Sequence, residues 1–145
     1  MASTPPARAL VGWRLLALVY DLFPALALWF ATGAIAMALH RGEPVRADTP
    51  AGWLELALLW LVTGAYATLS WRRGGQTIGM RPWRLRVVAP GGAPSWRAVA
   101  LRYAVGTLSL LAGGLGFWWA WIDRDRLTWH DRASGTRLER AAKAG

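Results

Sequence analysis

The sequence predicts an all-α membrane protein with three membrane-embedded helical segments and a small cytoplasmic β-hairpin. Three observations predict it. Two apolar runs are long enough to cross a bilayer, and a third is interrupted by glycines. Eleven Trp in 145 residues, with 54% apolar residues, suit a chain with two membrane–water interfaces. The loop charges are also asymmetric. Between Trp71 and Tyr103 lie seven Arg and no acidic residue, whereas His40–Gly52 holds two Arg, one Glu and one Asp. The positive-inside rule reads the first loop as cytoplasmic and the second as outer.

The first segment covers about residues 13–39, behind a Pro/Ala-rich tail over 1–11. From Leu15 its apolar run is broken by a single charge, Asp21, and spans ~25 residues or ~37 Å as a helix. Asp21 and Pro24 would both fall in the hydrophobic core of a signal peptide, so the segment reads as an uncleaved membrane helix. A carboxylate at such depth costs at least ~2.5 kcal/mol and must face protein or a water-filled cavity. Arg14, seven residues earlier, shares a face with Asp21, and the two are expected to form a buried ion pair. Pro24 frees the carbonyl of Tyr20 and predicts a kink beside Asp21.

Residues 40–52 carry Gly42, Pro44 and Pro50 and read as a short loop. The second segment, about 53–71, has Trp at both ends. Beyond it, Leu85-Arg86-Val87-Val88 alternates and is β-branched, and Ala89–Pro94 is turn chemistry, which together predict a hairpin or at least one strand and a turn. Residues 103–122 form the third segment, interrupted at Gly113-Gly114-Leu115-Gly116. It reads either as one spanning helix, with Ala112, Gly116 and Ala120 on a close-packing face, or as a broken, re-entrant pair of half-helices. Gly135-Thr136-Arg137-Leu138-Glu139 resembles a strand that could pair with Leu85–Val88. Such pairing needs both on one side, which favours the broken form and a cytoplasmic C-terminus. The membrane domain is thus 12–140, with a short tail over 141–145.

Several function classes are excluded or weakened. Without Cys there are no disulfides, thiolate metal sites or Cys nucleophiles. The net charge of +9 is concentrated where topology requires it, so anionic lipid is the expected partner and nucleic acid is not. Head-group contact falls to Arg72, Arg73, Arg81, Arg84 and Arg86. His130-Asp131 lacks the further ligands of a metal centre, since His40 is the only other His. Gly74–Gly79 lacks the Lys-Ser/Thr end of a phosphate loop. No cofactor, metal or enzymatic activity is expected.

Four motifs in order resemble the RDD family of small prokaryotic membrane proteins. They are Arg14-Leu15-Leu16-Ala17 with Asp21, Gly75-Gln76-Thr77 with Gly79 and Arg81, Leu85–Val88 followed by Gly91-Gly92 and Pro94, and Asp123 with Thr128, His130, Asp131, Gly135 and Thr136. The resemblance covers roughly residues 8–140. It implies that the name-giving arginine is Arg14, the first aspartate Asp21, and the second Asp131 or Asp123, with Asp131 favoured by its His-Asp motif. Met80 stands where the family more often has a basic residue, which comes next here as Arg81.

The resemblance further implies a protein of the bacterial plasma membrane, and the loop charges predict that it is multi-pass with a cytoplasmic N-terminus. Transport, including sodium–proton exchange, has been proposed for some members. The expected site is one polar cluster on the cytoplasmic side, formed by Arg14, Asp21, Gln76, Thr77, Asp123, His130 and Asp131. Two functions compete: an ion or small-solute transporter or its subunit, and a non-catalytic accessory protein binding another membrane protein or anionic lipid. A 15.9 kDa chain supplies little wall for a transport path, so oligomers or a membrane-protein partner are expected.

Overall fold

In the computed structural model, residues 8–141 are described; the outer parts of both expected tails, 1–7 and 142–145, lie outside them. Helix α1 spans Val11–Leu39 and runs unbroken through Pro24. Helix α2 spans Pro50–Gly74. Thr49 caps it by accepting from the Gly52 amide, Pro50 sits where a missing N–H costs nothing, and Gly75 closes it in the left-handed region. Both helices are long and apolar enough to cross a membrane. Their outer surfaces expose Phe23, Phe30, Leu39, Trp53 and Leu54, which suits lipid.

The third segment is broken. Helix α3 spans Trp96–Leu111, starting seven residues before the expected Tyr103 because Ser95 caps it through the Ala98 amide. At ~1.5 Å per residue it is ~24 Å long, short of a ~30 Å hydrocarbon core. Gly113 and Gly114 both take positive φ, and the Gly114 amide reaches back to the Ser109 carbonyl at 2.8 Å. The chain then bends by 107° into α4, Leu115–Trp118, and a 3₁₀ turn over Trp119–Trp121. Counting the bent pair as one span, two or three segments are candidates to cross. Of the expected packing face, Ala112 is exposed, while Gly116 and Ala120 are buried. A Cβ on Gly116 would meet the Ser109 hydroxyl at 2.4 Å, so the returning half lies directly on α3.

Strand β1, Leu85–Val88, pairs antiparallel with β2, Arg137–Arg140, in the register Leu85↔Arg140 to Val88↔Arg137. The expected hairpin is therefore corrected. Ala89–Gly92 closes a tight turn with one isolated bridge, but the strand that β1 needs comes from the far end of the chain. The predicted pairing with the Gly135–Glu139 region is present. Helix α5, Trp129–Ser134, leads into β2 and packs against α3. A small core of Ala17, Met80, Leu85, Val87 and Leu138 seats the sheet on the N-terminal end of α1.

Strand pairing places residues 85–88 and 137–140 on one side of any bilayer that α1 and α2 cross. With single Cys residues introduced at Ala47, Gly92 and Glu139, labels at 92 and 139 should react from the same side and 47 from the other. A label at 139 reacting with 47 instead would overturn this topology.

Candidate functional site

Three helices and α5 enclose two separate polar centres that share the wall of one cavity. The first is built on Asp131, whose side chain is wholly buried. Asp131 completes a capping box: Thr128 accepts from the Asp131 amide, and Asp131 Oδ2 accepts from the Thr128 amide, both at 3.2 Å. Two arginines from different helices meet the carboxylate. Arg14 of α1 donates through Nη2 to Oδ2 at 2.6 Å, and Arg102 of α3 through Nη1 to Oδ1 at 2.5 Å. Both guanidinium groups are about 4% exposed. Arg102 Nη1 also donates to Thr136, and Arg14 Nε donates to the Ala9 carbonyl.

Burial alone would raise the pKa of Asp131, but the charges of Arg102 and Arg14 outweigh it and hold the carboxyl well below its usual range. His130 lies beside the group with its ring against Phe117. Burial, reinforced by the Arg102 charge, lowers its pKa well below the ordinary value, so the imidazole is neutral. Arg14 Nη1 approaches His130 Nε2 at 3.5 Å, and since an arginine can only donate, this contact favours the tautomer with its proton on Nδ1.

The second centre is Asp21. It does not pair with Arg14. Its Oδ1 accepts from the Tyr66 hydroxyl at 2.7 Å and the Gly79 amide at 2.8 Å, and its Oδ2 from Thr77 Oγ1 at 2.5 Å. Asp21 thus ties α1 to α2 and to the turn after it. Tyr66 reaches the same turn by accepting from the Ile78 amide at 2.9 Å. The turn can come this close because residue 79 is Gly: a Cβ there would sit 2.3 Å from the Ala17 carbonyl. The chemistry of the Gly75–Gly79 motif is therefore to deliver donors to a membrane carboxylate.

The expected single cluster is corrected accordingly. Arg14, His130 and Asp131 come together, and so do Asp21 and Thr77, but as distinct centres. Gln76 donates to the Leu85 carbonyl at 2.7 Å and anchors β1. Asp123 lies apart, where it pairs with Arg132 and accepts from the Asp125 and Leu127 amides. Chiefly the Leu127 bond, against some burial and with help from Arg132, keeps its carboxyl below the usual range.

Sequence reasoning missed Arg102 and Tyr66 as members of the centres. Arg102 carried a signal, as the last of the seven Arg and the only one followed by an apolar run of this length. Of the expected head-group arginines, Arg73, Arg81 and Arg86 are exposed, whereas Arg72 and Arg84 are half-buried. Arg72 lies over the Trp96 ring.

The cavity between α1, α2 and α3 has a volume of about 320 Å³. Asp21, Arg14, Arg102 and His130 form its charged or titratable wall, and the rest is apolar or hydroxyl-bearing. Apolar helices around a satisfied intramembrane carboxylate and a buried ion triad fit an integral membrane protein in a lipid bilayer. The RDD family model matches residues 8–135, and the chain belongs to the RDD family. No curated protein and no solved structure matches it significantly.

Proposed function

We propose that this chain is a non-enzymatic transport unit, or a subunit of one, that passes a proton or small cation through Asp21. It sits in the bacterial plasma membrane with its N-terminus and sheet on the cytoplasmic side, a reading that the loop charges support. One observation carries the reading. Asp21 lies on the wall of the 320 Å³ cavity, which the hydroxyl-bearing residues Thr63, Tyr66, Thr77, Tyr103 and Thr107 of α2, α3 and the turn also line. A carboxylate among hydroxyls is the donor set that a proton or hard cation takes inside a membrane.

The geometry also supplies a coupling. Asp21 accepts three hydrogen bonds that hold the Thr77–Gly79 turn on α1. A proton or cation taken up at these oxygens competes with the donors that the carboxylate serves. Loading would then loosen the turn, a local change that can bias two states of the protein. The exposed apolar faces of α1 and α2 leave room for self-association or a partner helix, which a chain this small needs.

Reconstituted vesicles with an internal pH dye test the reading. Asp21→Asn is expected to reach the membrane, keep most of its stability and lose at least about tenfold in cation-driven pH change. Asp21→Glu should retain part of it. Equal flux in Asp21→Asn and wild type would end the transport reading. The accessory reading has its own support in the exposed Arg73, Arg81 and Arg86 near the sheet. It predicts salt-sensitive binding to vesicles of anionic lipid that Asp21→Asn leaves unchanged.

A further inference from the structure

We propose that the basic end of the cavity binds an oxyanion head group carried on a single hydrocarbon chain, such as a fatty carboxylate or an alkyl phosphate. The proposal stands apart from cation passage, because it uses the opposite end of the same cavity.

Charge is the first observation. Arg14 and Arg102 bring two cations to one anion, Asp131, and His130 is neutral. A buried group with a surplus charge is costly unless something completes it. Asp21, the carboxylate on the wall, is ~10 Å from Arg14 along the helix axis and already accepts from three donors.

Unpartnered donors are the second observation. Arg102 Nε, Trp71 Nε1 and His130 Nδ1 are all buried and find no hydrogen-bond partner among the described residues. All three residues line the cavity. The Arg102 guanidinium lies over the Trp71 ring, 5.4 Å from its centroid, so two of these donors belong to neighbouring groups. Buried N–H groups ask for acceptors, and the one on Arg102 is charged, which favours an anionic acceptor.

The third observation is the shape and lining of the rest. Away from the charged end the walls include the apolar Ala25, Ala67 and Leu110 beside the hydroxyl-bearing Thr63 and Thr107. The most exposed lining residues are Leu18, Trp60 and Leu110, so the cavity communicates with the apolar, lipid-facing side of the protein. Its volume is about 320 Å³. That is roughly twice a cavity of ~150 Å³ that takes one benzene, and at the small end of the ~300–1,000 Å³ seen for ligand sites. The space is that of a single hydrocarbon chain.

Gly106 provides a clean test. It lines the cavity from α3, and a Cβ there would meet nothing within 4 Å. Gly106→Leu adds bulk to the cavity wall one turn from Arg102, keeps both arginines in the sequence, and replaces a poor helix former. The full-length chain in nanodiscs of zwitterionic lipid would be titrated with dodecanoate, dodecyl phosphate, dodecanol, dodecyltrimethylammonium and inorganic phosphate, reading melting temperature and quenching by brominated dodecanoate.

Dodecanoate or dodecyl phosphate is expected to bind, and their relative affinities tell a fatty-acid source from a phosphate one. Dodecanol and the ammonium should bind at least about tenfold more weakly, and inorganic phosphate should give no shift. Gly106→Leu should melt no lower than wild type and lose the quenching. Arg102→Gln should weaken only the anions, and if it does not fold, Gly106→Leu decides alone. Equal binding of dodecanol and dodecanoate, or undiminished binding by Gly106→Leu, would overturn the proposal.

Discussion

Asp131→Ala is expected to be the most damaging single change in the protein. It leaves two buried guanidinium groups without their shared carboxylate and removes one half of the α5 capping box. Breaking a buried pair by deleting one partner costs about 3–5 kcal/mol, and a lost cap adds about 1 kcal/mol. Domains are stable by only about 5–15 kcal/mol, so the variant should scarcely accumulate in the membrane. Replacing the whole triad (Arg14→Met, Arg102→Met and Asp131→Leu together) should hurt less than Asp131→Ala alone, because no charge is then stranded. Membrane abundance and the melting temperature of the extracted protein check both statements. If Asp131→Ala melts with wild type, the triad does not hold α1, α3 and α5 together.

Gly79→Ala is expected to come second, through space rather than charge. The new methyl would meet the Ala17 carbonyl at 2.3 Å and the Asp21 carboxyl carbon at 2.6 Å. The Ala17 carbonyl and the Asp21 amide cannot move without shifting α1, so the turn must lift. Lifting costs the Gly79 and Thr77 bonds to Asp21 and strands a carboxylate at depth. Overpacking of this kind costs about 1–3 kcal/mol, and each abandoned buried polar group about 1–3 kcal/mol more. Gly74→Ala is the matched control, since a Cβ there meets nothing within 4 Å, and it should be neutral or slightly stabilising. Similar melting temperatures for Gly79→Ala and Gly74→Ala would show that the turn does not rest on α1 as described.

The Arg14–Asp21 pairing shows why one expectation failed. A spacing of seven does put both residues on one helix face. Side chains on a helix meet at three or four residues, however, where Cβ atoms are ~5–6 Å apart; at seven the axial separation is already ~10 Å. Each residue therefore had to find its partner elsewhere. Arg14 found Asp131, 117 residues later, and Asp21 found Tyr66, Thr77 and Gly79.

The sequence by itself determined whatever depends on neighbours along the chain. Apolar length set the two long helices and Gly113 and Gly114 set the break, whereas the caps Thr49 and Ser95, which start α2 and α3 ahead of the expected 53 and 103, emerged only from the structure. The motif that carries Arg14, Asp21, Gln76, Thr77, His130 and Asp131 was legible too, as a set of residues without a map. Only the tertiary structure decided which of them touch. It split one expected cluster into two centres, recruited Arg102 and Tyr66, and gave β1 a strand from the other end of the chain in place of a hairpin. The reason is physical: a buried charge or an open strand edge must be satisfied, but nothing local says by whom. The answer is settled by which helix ends and strands the packed fold brings within ~3 Å of one another.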